Sequence, residues 1–486
     1  MLESSNTRPP AAGRRLLIAR NFLSLGSGQV ALALFGFVAG IYARRVLGAT
    51  VIGEVEWTTS MLTYFSLLIN PGLETIAQRD IAREPGRANE YVSKMTSLRL
   101  LLALISFACV CVLVLFNVRG PQIGRLLVLQ GLGLLIIPLN LGWLLWANER
   151  MGVQALVATV FQMLQLLALF LLIHKPEHVY RYVLFPHPFN IAMVGVLYWC
   201  ASRYRLIDWR RLRLTLRGTG ALIREAIPLG FSQMASLLYF NSDAILLGFM
   251  RGDAVVGIYT TAYRSWIYGT MVFGVLYQTY FPSLARAVTD ASAQRKISSE
   301  FYRLHLWLGL PLAALFWGSG RCIVNLLYGK QFVESGPMFE WLSIDIALSS
   351  FSWSIVGPLN AWGHQKKTFY ITLTGALVNL GVNFLVIPRY GAMGAVATTL
   401  LAELIVLIGG LLARRKLCPL PWLAMTLKPL ATAVLVAGTA RWMVVAFPAH
   451  WWLALPVAGI VFAVCLWLAE KQLLMRSMRE ILARFR

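Results

Sequence analysis

The chain has 486 residues, 58% of them hydrophobic and 13% charged, with a mean hydropathy of +0.65. A soluble chain of this length carries about twice that charged fraction, so a soluble enzyme or binding module is excluded. The formal net charge of +23 comes with no nucleic-acid motif and fits basic loops facing anionic headgroups.

In chain order, the first apolar run is Phe22–Ile41. It is longer than a signal-peptide core and lacks a small-residue cleavage site, so it reads as a retained span. Leu100–Val118 and Met151–Ile173 contain no Asp, Glu, Lys or Arg. Each is long enough to cross a bilayer core of about 30 Å as a helix. About fourteen such runs follow one another, from one centred near residue 31 to one near residue 460. Strand-like alternation does not recur, so a β-barrel is not expected.

An even number of spans puts both termini on one side. Of the 44 basic residues, 32 fall in the tails and loops on that side, 11 fall on the other, and Arg264 lies inside a span. The bias places both termini in the cytoplasm. The basic segment "RYRLIDWRRLRLTLRG" suits an interfacial linker after the sixth span. Cys109, Cys111, Cys200, Cys418 and Cys465 fall in spans or at their inner ends, so no disulfide framework is expected.

A repeat is visible at a constant offset of about 204 residues. "RRVLGATVIGEVEWTTSMLTY" follows the first span and "GFMRGDAVVGIYTTAYRSWIY" the seventh. Gly48 aligns with Gly252, Gly53 with Gly257 and Tyr64 with Tyr268. Both copies start from the same side, which predicts two parallel six-helix lobes related by an axis along the membrane normal. The predicted layout is residues 1–220 for spans 1–6 and the linker, 221–420 for spans 7–12, and 421–486 for spans 13–14 and a basic tail.

One family carries these features together. "LGATVIGEVEWTTSMLTYFSLLINPGLETIAQRDIAR", "DAILLGFMRGDAVVGIYTTAYR", "YFPSLARA", "LLYGKQF" and "LVIPRYGAMGAVATTLLAE" resemble the signature of Wzx-type polysaccharide flippases. Those belong to the multidrug/oligosaccharidyl-lipid/polysaccharide exporter superfamily, with the lipid II flippases and the MATE multidrug extruders. The resemblance implies a MATE-like, all-α alternating-access transporter in a bacterial inner membrane. Its implied cargo is an oligosaccharide on undecaprenyl pyrophosphate, with a polysaccharide polymerase and export machinery as partners. No cofactor is expected beyond a coupling Na⁺ or H⁺.

The charged residues inside the spans are the candidate site. Arg264 lies about twelve residues past the turn at Gly252, roughly 18 Å down a helix. It reads either as a binder of pyrophosphate or an acidic sugar or as a structural ion pair. Lipid II flippases have a cationic cavity that includes an arginine on span 8, which points to the first. Arg20 and Arg79, at span ends, are candidate contributors to the cavity mouth, with snorkelling as the alternative.

Asp243 on span 7, Asn379 and Asn383 on span 11 and Thr399 on span 12 all lie about 12 Å below the outer turns by helical rise. Carboxylate, amide and hydroxyl oxygens suit a hard monovalent cation. The resemblance to lipid II flippases implies a sodium site at these four positions, although that family can have an aspartate where Asn383 stands. Sodium and a proton on Asp243 alone both stay open. Glu403, one turn below Thr399, and Asp345 are further candidates, as proton sites or as partners of Arg264.

The leading functional reading is a lipid-linked oligosaccharide flippase. The alternative is a cation-coupled multidrug extruder of the same superfamily, whose cavity should be acidic. An enzyme is not expected, because no loop is long enough for a catalytic or acceptor-binding domain.

Overall fold

The computed structural model describes the backbone of residues 11–415 and 417–484 and the side chains of residues 28–415 and 417–471. Among these residues the chain is helical and contains no strand. The first part comprises α1 (Ala11–Ile69), α2 (Leu73–Arg83), α3 (Ala88–Leu115), α4 (Pro121–Gly131), α5 (Gly142–Ala147), α6 (Met151–Leu172), α7 (Val179–Leu184) and α8 (Pro186–Arg203). It is followed by α9 (Thr219–Arg251), α10 (Asp253–Arg286), α11 (Ala291–Tyr328), α12 (Ser335–Ala361), α13 (Gln365–Arg414), α14 (Trp422–Ala446) and α15 (Ala454–Arg484).

Ten helical stretches among the described residues are long and apolar enough to cross a membrane. The protein is thus a polytopic α-helical membrane protein of the expected class. α1 and α13, at 59 and 50 residues, are far longer than the roughly 20 residues a crossing needs. Each is broken by a glycine with positive φ, Gly48 (φ 79°) and Gly391 (φ 59°). Only glycine takes that backbone without a steric cost. Each therefore contains two of the expected spans, joined at a tight turn. α9 and α10 are not among the ten; polar residues such as Asn241, Ser242 and Asp243 lower the hydropathy of α9, and Asp253 and Arg264 that of α10.

The repeat has a structural counterpart. Gly48 (φ 79°, ψ 173°) and Gly252 (φ 88°, ψ 175°) have nearly the same backbone conformation. A Cβ on Gly53 would collide with the Asp253 carbonyl, and one on Gly257 would collide with the Ala49 carbonyl. These two contacts map onto each other under the offset. The glycines therefore let residues 49–57 of α1 and the start of α10 cross backbone to backbone, as small residues do between membrane helices.

The chain divides into two compact units, residues 1–47 with 58–234, and residues 48–57 with 235–486. The short segment 48–57 thus belongs with the second unit, and the division falls within α9. In the first unit, Leu73, Ile76, Tyr91, Met95 and Trp143 belong to a continuous buried core. In the second, Tyr302, Leu306, Ile355, Leu359, Val436 and Ala440 form another. α14 docks on α11, where a Cβ on Gly318 would lie 2.8 Å from Ala440 Cβ. α15 is held by Glu470, which pairs with Arg303 and accepts a hydrogen bond from Trp307 Nε1 at 3.1 Å. The large apolar side chains of α6, such as Leu156, Leu167 and Leu171, are exposed, as expected of a surface solvated by lipid. All six cysteines are free thiols.

Candidate functional site

Asp243 on α9 is 2% exposed. An ionised carboxylate taken out of water costs several kcal/mol, and no basic side chain pairs with it among the described residues. The structure compensates with neutral donors from two other helices. Asn383 Nδ2 donates to Oδ1 at 2.6 Å. The Tyr259 hydroxyl of α10 donates to Oδ2 at 2.6 Å and the Thr399 hydroxyl of α13 at 3.2 Å. Hydrogen bonds to a charged group contribute about 1.5–3 kcal/mol each, so three of them are of the right size to hold the charge without a counter-ion.

A second ring of bonds fixes these donors. Asn379 Oδ1 accepts from Asn383 Nδ2 at 3.1 Å and from Ser242 Oγ at 3.3 Å. Thr398 Oγ1 donates to Asn383 Oδ1 at 2.5 Å. The turn at Gly391 makes this arrangement reachable, because it folds the second half of α13 back along the first. Gly394 lets the halves close, since a Cβ there would lie 2.8 Å from Val386 Cγ1. Asp243, Asn379, Asn383 and Thr399, expected from depth to meet, do meet. Tyr259, Ser242 and Thr398 belong to the same cluster and were not anticipated. Tyr259 lies about 10 Å below the Gly252 turn by helical rise, so the same depth argument reaches it.

The oxygens of Asp243, Asn379, Asn383, Thr398 and Thr399 are hard ligands of the kind that alkali and alkaline-earth cations take. The donor set therefore fits a small cation.

Arg264 on α10 pairs through Nη2 with Glu56 Oε2 at 2.9 Å. Its side chain is 43% exposed and that of Glu56 14%. The sequence offered Asp345 and Glu403 as its partners. The partner is instead Glu56, because the crossing at Gly53 and Gly257 brings the two repeat copies together. Glu56 lies within the repeat, about 12 Å past the Gly48 turn, and depth alone placed it within a side chain's reach of Arg264.

Asp345 and Glu403 lie deeper in the second unit, 1% and 8% exposed. The Tyr239 hydroxyl donates to Glu403 Oε2 at 2.6 Å. Ser349 Oγ donates to Asp345 Oδ2 at 3.3 Å, and Asp345 Oδ1 has no partner among the described residues. Tyr259, Tyr263 and Trp266 stack along α10, with centroids 5.7 and 4.9 Å apart. This aromatic row starts at the phenol that touches Asp243.

Arg79 on α2 lies in a different setting. It bonds Asp80 at 2.8 Å and Glu225 at 2.5 Å, with its own side chain 43% exposed and that of Glu225 45%. Exposed pairs of this kind contribute about 0–1 kcal/mol. The side chain of Arg20 lies outside the described residues. Arg99, one of the 32 basic residues assigned above to the tails and loops on the cytoplasmic side, is instead within α3 and 1% exposed, bonded to Glu74 at 2.9 Å and to the Ile137 carbonyl at 2.8 Å.

The all-α chain, with glycine-broken double spans and buried charges in its helices, is a polytopic membrane protein. Residues 18–288, more than half of the chain, match the family described as "Polysaccharide biosynthesis protein", and the chain belongs to that family. It is 24% identical over 400 residues to a protein of Shigella dysenteriae named "Putative O-antigen transporter", covering 80% of this chain and 98% of that one. Its fold is similar to the inward closed conformation of the lipid II flippase MurJ, with TM-score 0.75 and 13% identity over 93% of this chain and 99% of that one. An inward-facing MATE family multidrug resistance transporter gives TM-score 0.64 and 15% identity over 79% and 95%. The resemblance to Wzx-type flippases and their exporter superfamily holds.

Proposed function

We propose that the protein moves undecaprenyl-pyrophosphate-linked oligosaccharide repeat units from the cytoplasmic to the periplasmic leaflet of a bacterial inner membrane, by alternating access. The observation that carries this reading is the near full-length relationship to an O-antigen transporter. The direction has a physical source. Moving a negative charge outward across an inside-negative membrane releases about 2.3 kcal/mol per 100 mV, so the potential drives export and a cation returning inward resets the carrier.

The Asp243 cluster is where that cation binds in this scheme. Asn383 turns its nitrogen to Asp243 and its oxygen to Thr398. Turning the amide by half a revolution presents oxygen to the carboxylate's neighbourhood and replaces a donor with a ligand. Sodium suits the resulting oxygen set, and a proton on Asp243 suits the hydrogen-bonded one. Arg264 takes the anionic end of the cargo by exchanging Glu56 for a pyrophosphate oxygen, where a guanidinium makes two charge-assisted bonds. Asp345 and Glu403 serve as secondary proton acceptors. The oligosaccharide polymerase acts on the delivered units.

Spheroplasts of a strain lacking its own flippase test the transport reading through outward accessibility of the lipid-linked sugar to a membrane-impermeant probe. Accessibility is expected to depend on this protein. Equal accessibility with and without it overturns the proposal, and drug resistance on overexpression would support the extruder alternative instead.

A further inference from the structure

A cavity of about 400 Å³ opens in the first unit. It is formed where α1 ends, where α3 passes, and at the approach to α5 and α6. Its volume is at the small end of the range for ligand pockets. Arg99 reaches it from α3, with Glu74 beside it from α2. Asn70, Gln78, Asn140, Trp146 and Gln154 also line it.

The hydrogen-bond inventory of these residues gives the cavity a polarity. Asn70 Oδ1 accepts from Glu74 N at 3.2 Å, and Asn140 Oδ1 from Gly142 N at 2.7 Å. Gln154 Oε1 accepts from Trp146 Nε1 at 3.2 Å. The protein thus occupies the amide oxygens of three side chains and leaves their NH₂ groups as donors. Arg99 uses Nη2 for Glu74 and the Ile137 carbonyl, while its buried Nε and Nη1 have no partner among the described residues. These two nitrogens have almost no accessible surface and do not face the cavity, so the amides of Asn70, Asn140 and Gln154 are its donors. The cavity therefore calls for a ligand rich in acceptor oxygens.

Two such ligands belong to the proposed cargo: a sugar ring and the pyrophosphate. Glu74 discriminates between them. Its carboxylate lies in the cavity and already neutralises Arg99, which disfavours a multiply charged phosphate. Planar amides with a tryptophan beside them suit a ring that has hydroxyls at its edge and C–H groups on its face. We infer that this cavity is a saccharide-binding subsite, taking one sugar ring of the cargo with its oxygens on Gln78, Asn140 and Gln154 and its face beside Trp146. This rests on the reading of the cargo as a lipid-linked oligosaccharide.

The full-length protein in nanodiscs, prepared without glycosidic detergent, tests it by saturation-transfer NMR. The probes are methyl glucoside, N-acetylglucosamine and methyl glucuronide, with inorganic pyrophosphate as the competing chemistry. At least one sugar is expected to give transfer, and Gln154→Leu and Gln78→Leu are each expected to reduce it fivefold or more. Gln78 takes no hydrogen bond among the described residues, so its variant carries the test if Gln154→Leu does not fold. No transfer from any of the three sugars, transfer from pyrophosphate alone, or sugar transfer unchanged in Gln78→Leu overturns the inference. Sugar binding retained in a protein that fails the spheroplast assay removes the transport reading and leaves the subsite standing.

Discussion

Asp243 and Arg264 both lie on helices of the second unit, and the protein treats the two charges in opposite ways. Asp243 is enclosed by neutral donors and has no counter-ion among the described residues. Arg264 is cancelled by Glu56 and keeps a partly exposed guanidinium. A cage of neutral donors is a place that still attracts a cation. An ion pair attracts nothing until one partner is exchanged. The difference separates a site suited to binding and release of a small ion from one suited to competition by a larger anion.

The largest effect that would break this contrast comes from Asp243→Asn. It keeps the size of the side chain and removes the charge, and export in the spheroplast assay is expected to be abolished while the protein still inserts. Full export by this variant would remove Asp243 from the cation site.

Arg264→Ala is expected to abolish export as well, for one of two reasons that a second substitution separates. In Arg264→Ala alone, the mostly buried Glu56 loses the guanidinium charge beside it. Adding Glu56→Gln should restore folded protein to wild-type amounts, measured by size-exclusion chromatography. Export that returns with the fold would make Arg264 a structural ion pair. Export that stays absent keeps it as the anion binder.

A smaller, purely structural effect is expected of Gly53→Ala. Its Cβ would overlap the Asp253 carbonyl at the crossing that brings Glu56 to Arg264. Overpacking of this kind costs about 1–3 kcal/mol, read as a lowered thermal midpoint. An unchanged midpoint would show that the crossing has slack.

Tyr259→Phe sharpens the description of the cage. It removes one donor from Asp243 Oδ2 and destabilises the cation-free state by about 1.5 kcal/mol. The cation concentration for half-maximal export is therefore expected to fall about tenfold, by 1.4 kcal/mol per decade. A rise instead would make the phenol oxygen a ligand. The smallest expected change accompanies replacement of sodium by potassium. A drop in export rate identifies sodium as the coupling ion, and an unchanged rate assigns the role to a proton or to the potential alone.

Much of the site was legible because depth along a helix can be counted. Asp243, Asn379, Asn383 and Thr399 share a level, and a rise of 1.5 Å per residue suffices to show it. Depth does not give the angle around a helix. Asp345 and Glu403 are therefore as well placed in sequence for Arg264 as Glu56 is, yet Glu56 is the partner. Charge counting failed at Arg99 for a related reason. A basic residue near a span end reads as a loop charge, and only packing reveals that α2 supplies Glu74 to bury it.

The sequence by itself determined the medium, the helical class, the duplicated hairpin and the family resemblance. These follow from hydropathy and from glycines whose backbone conformation other residues avoid. Only the tertiary structure decided which charges meet. Partner choice depends on how helices cross and rotate against one another, and that is set by side-chain packing spread over many residues far apart in the chain. The Gly53–Gly257 crossing that joins Arg264 to Glu56, and the fold-back at Gly391 that closes Thr398 and Thr399 onto Asn383 and Asp243, are decisions of that kind.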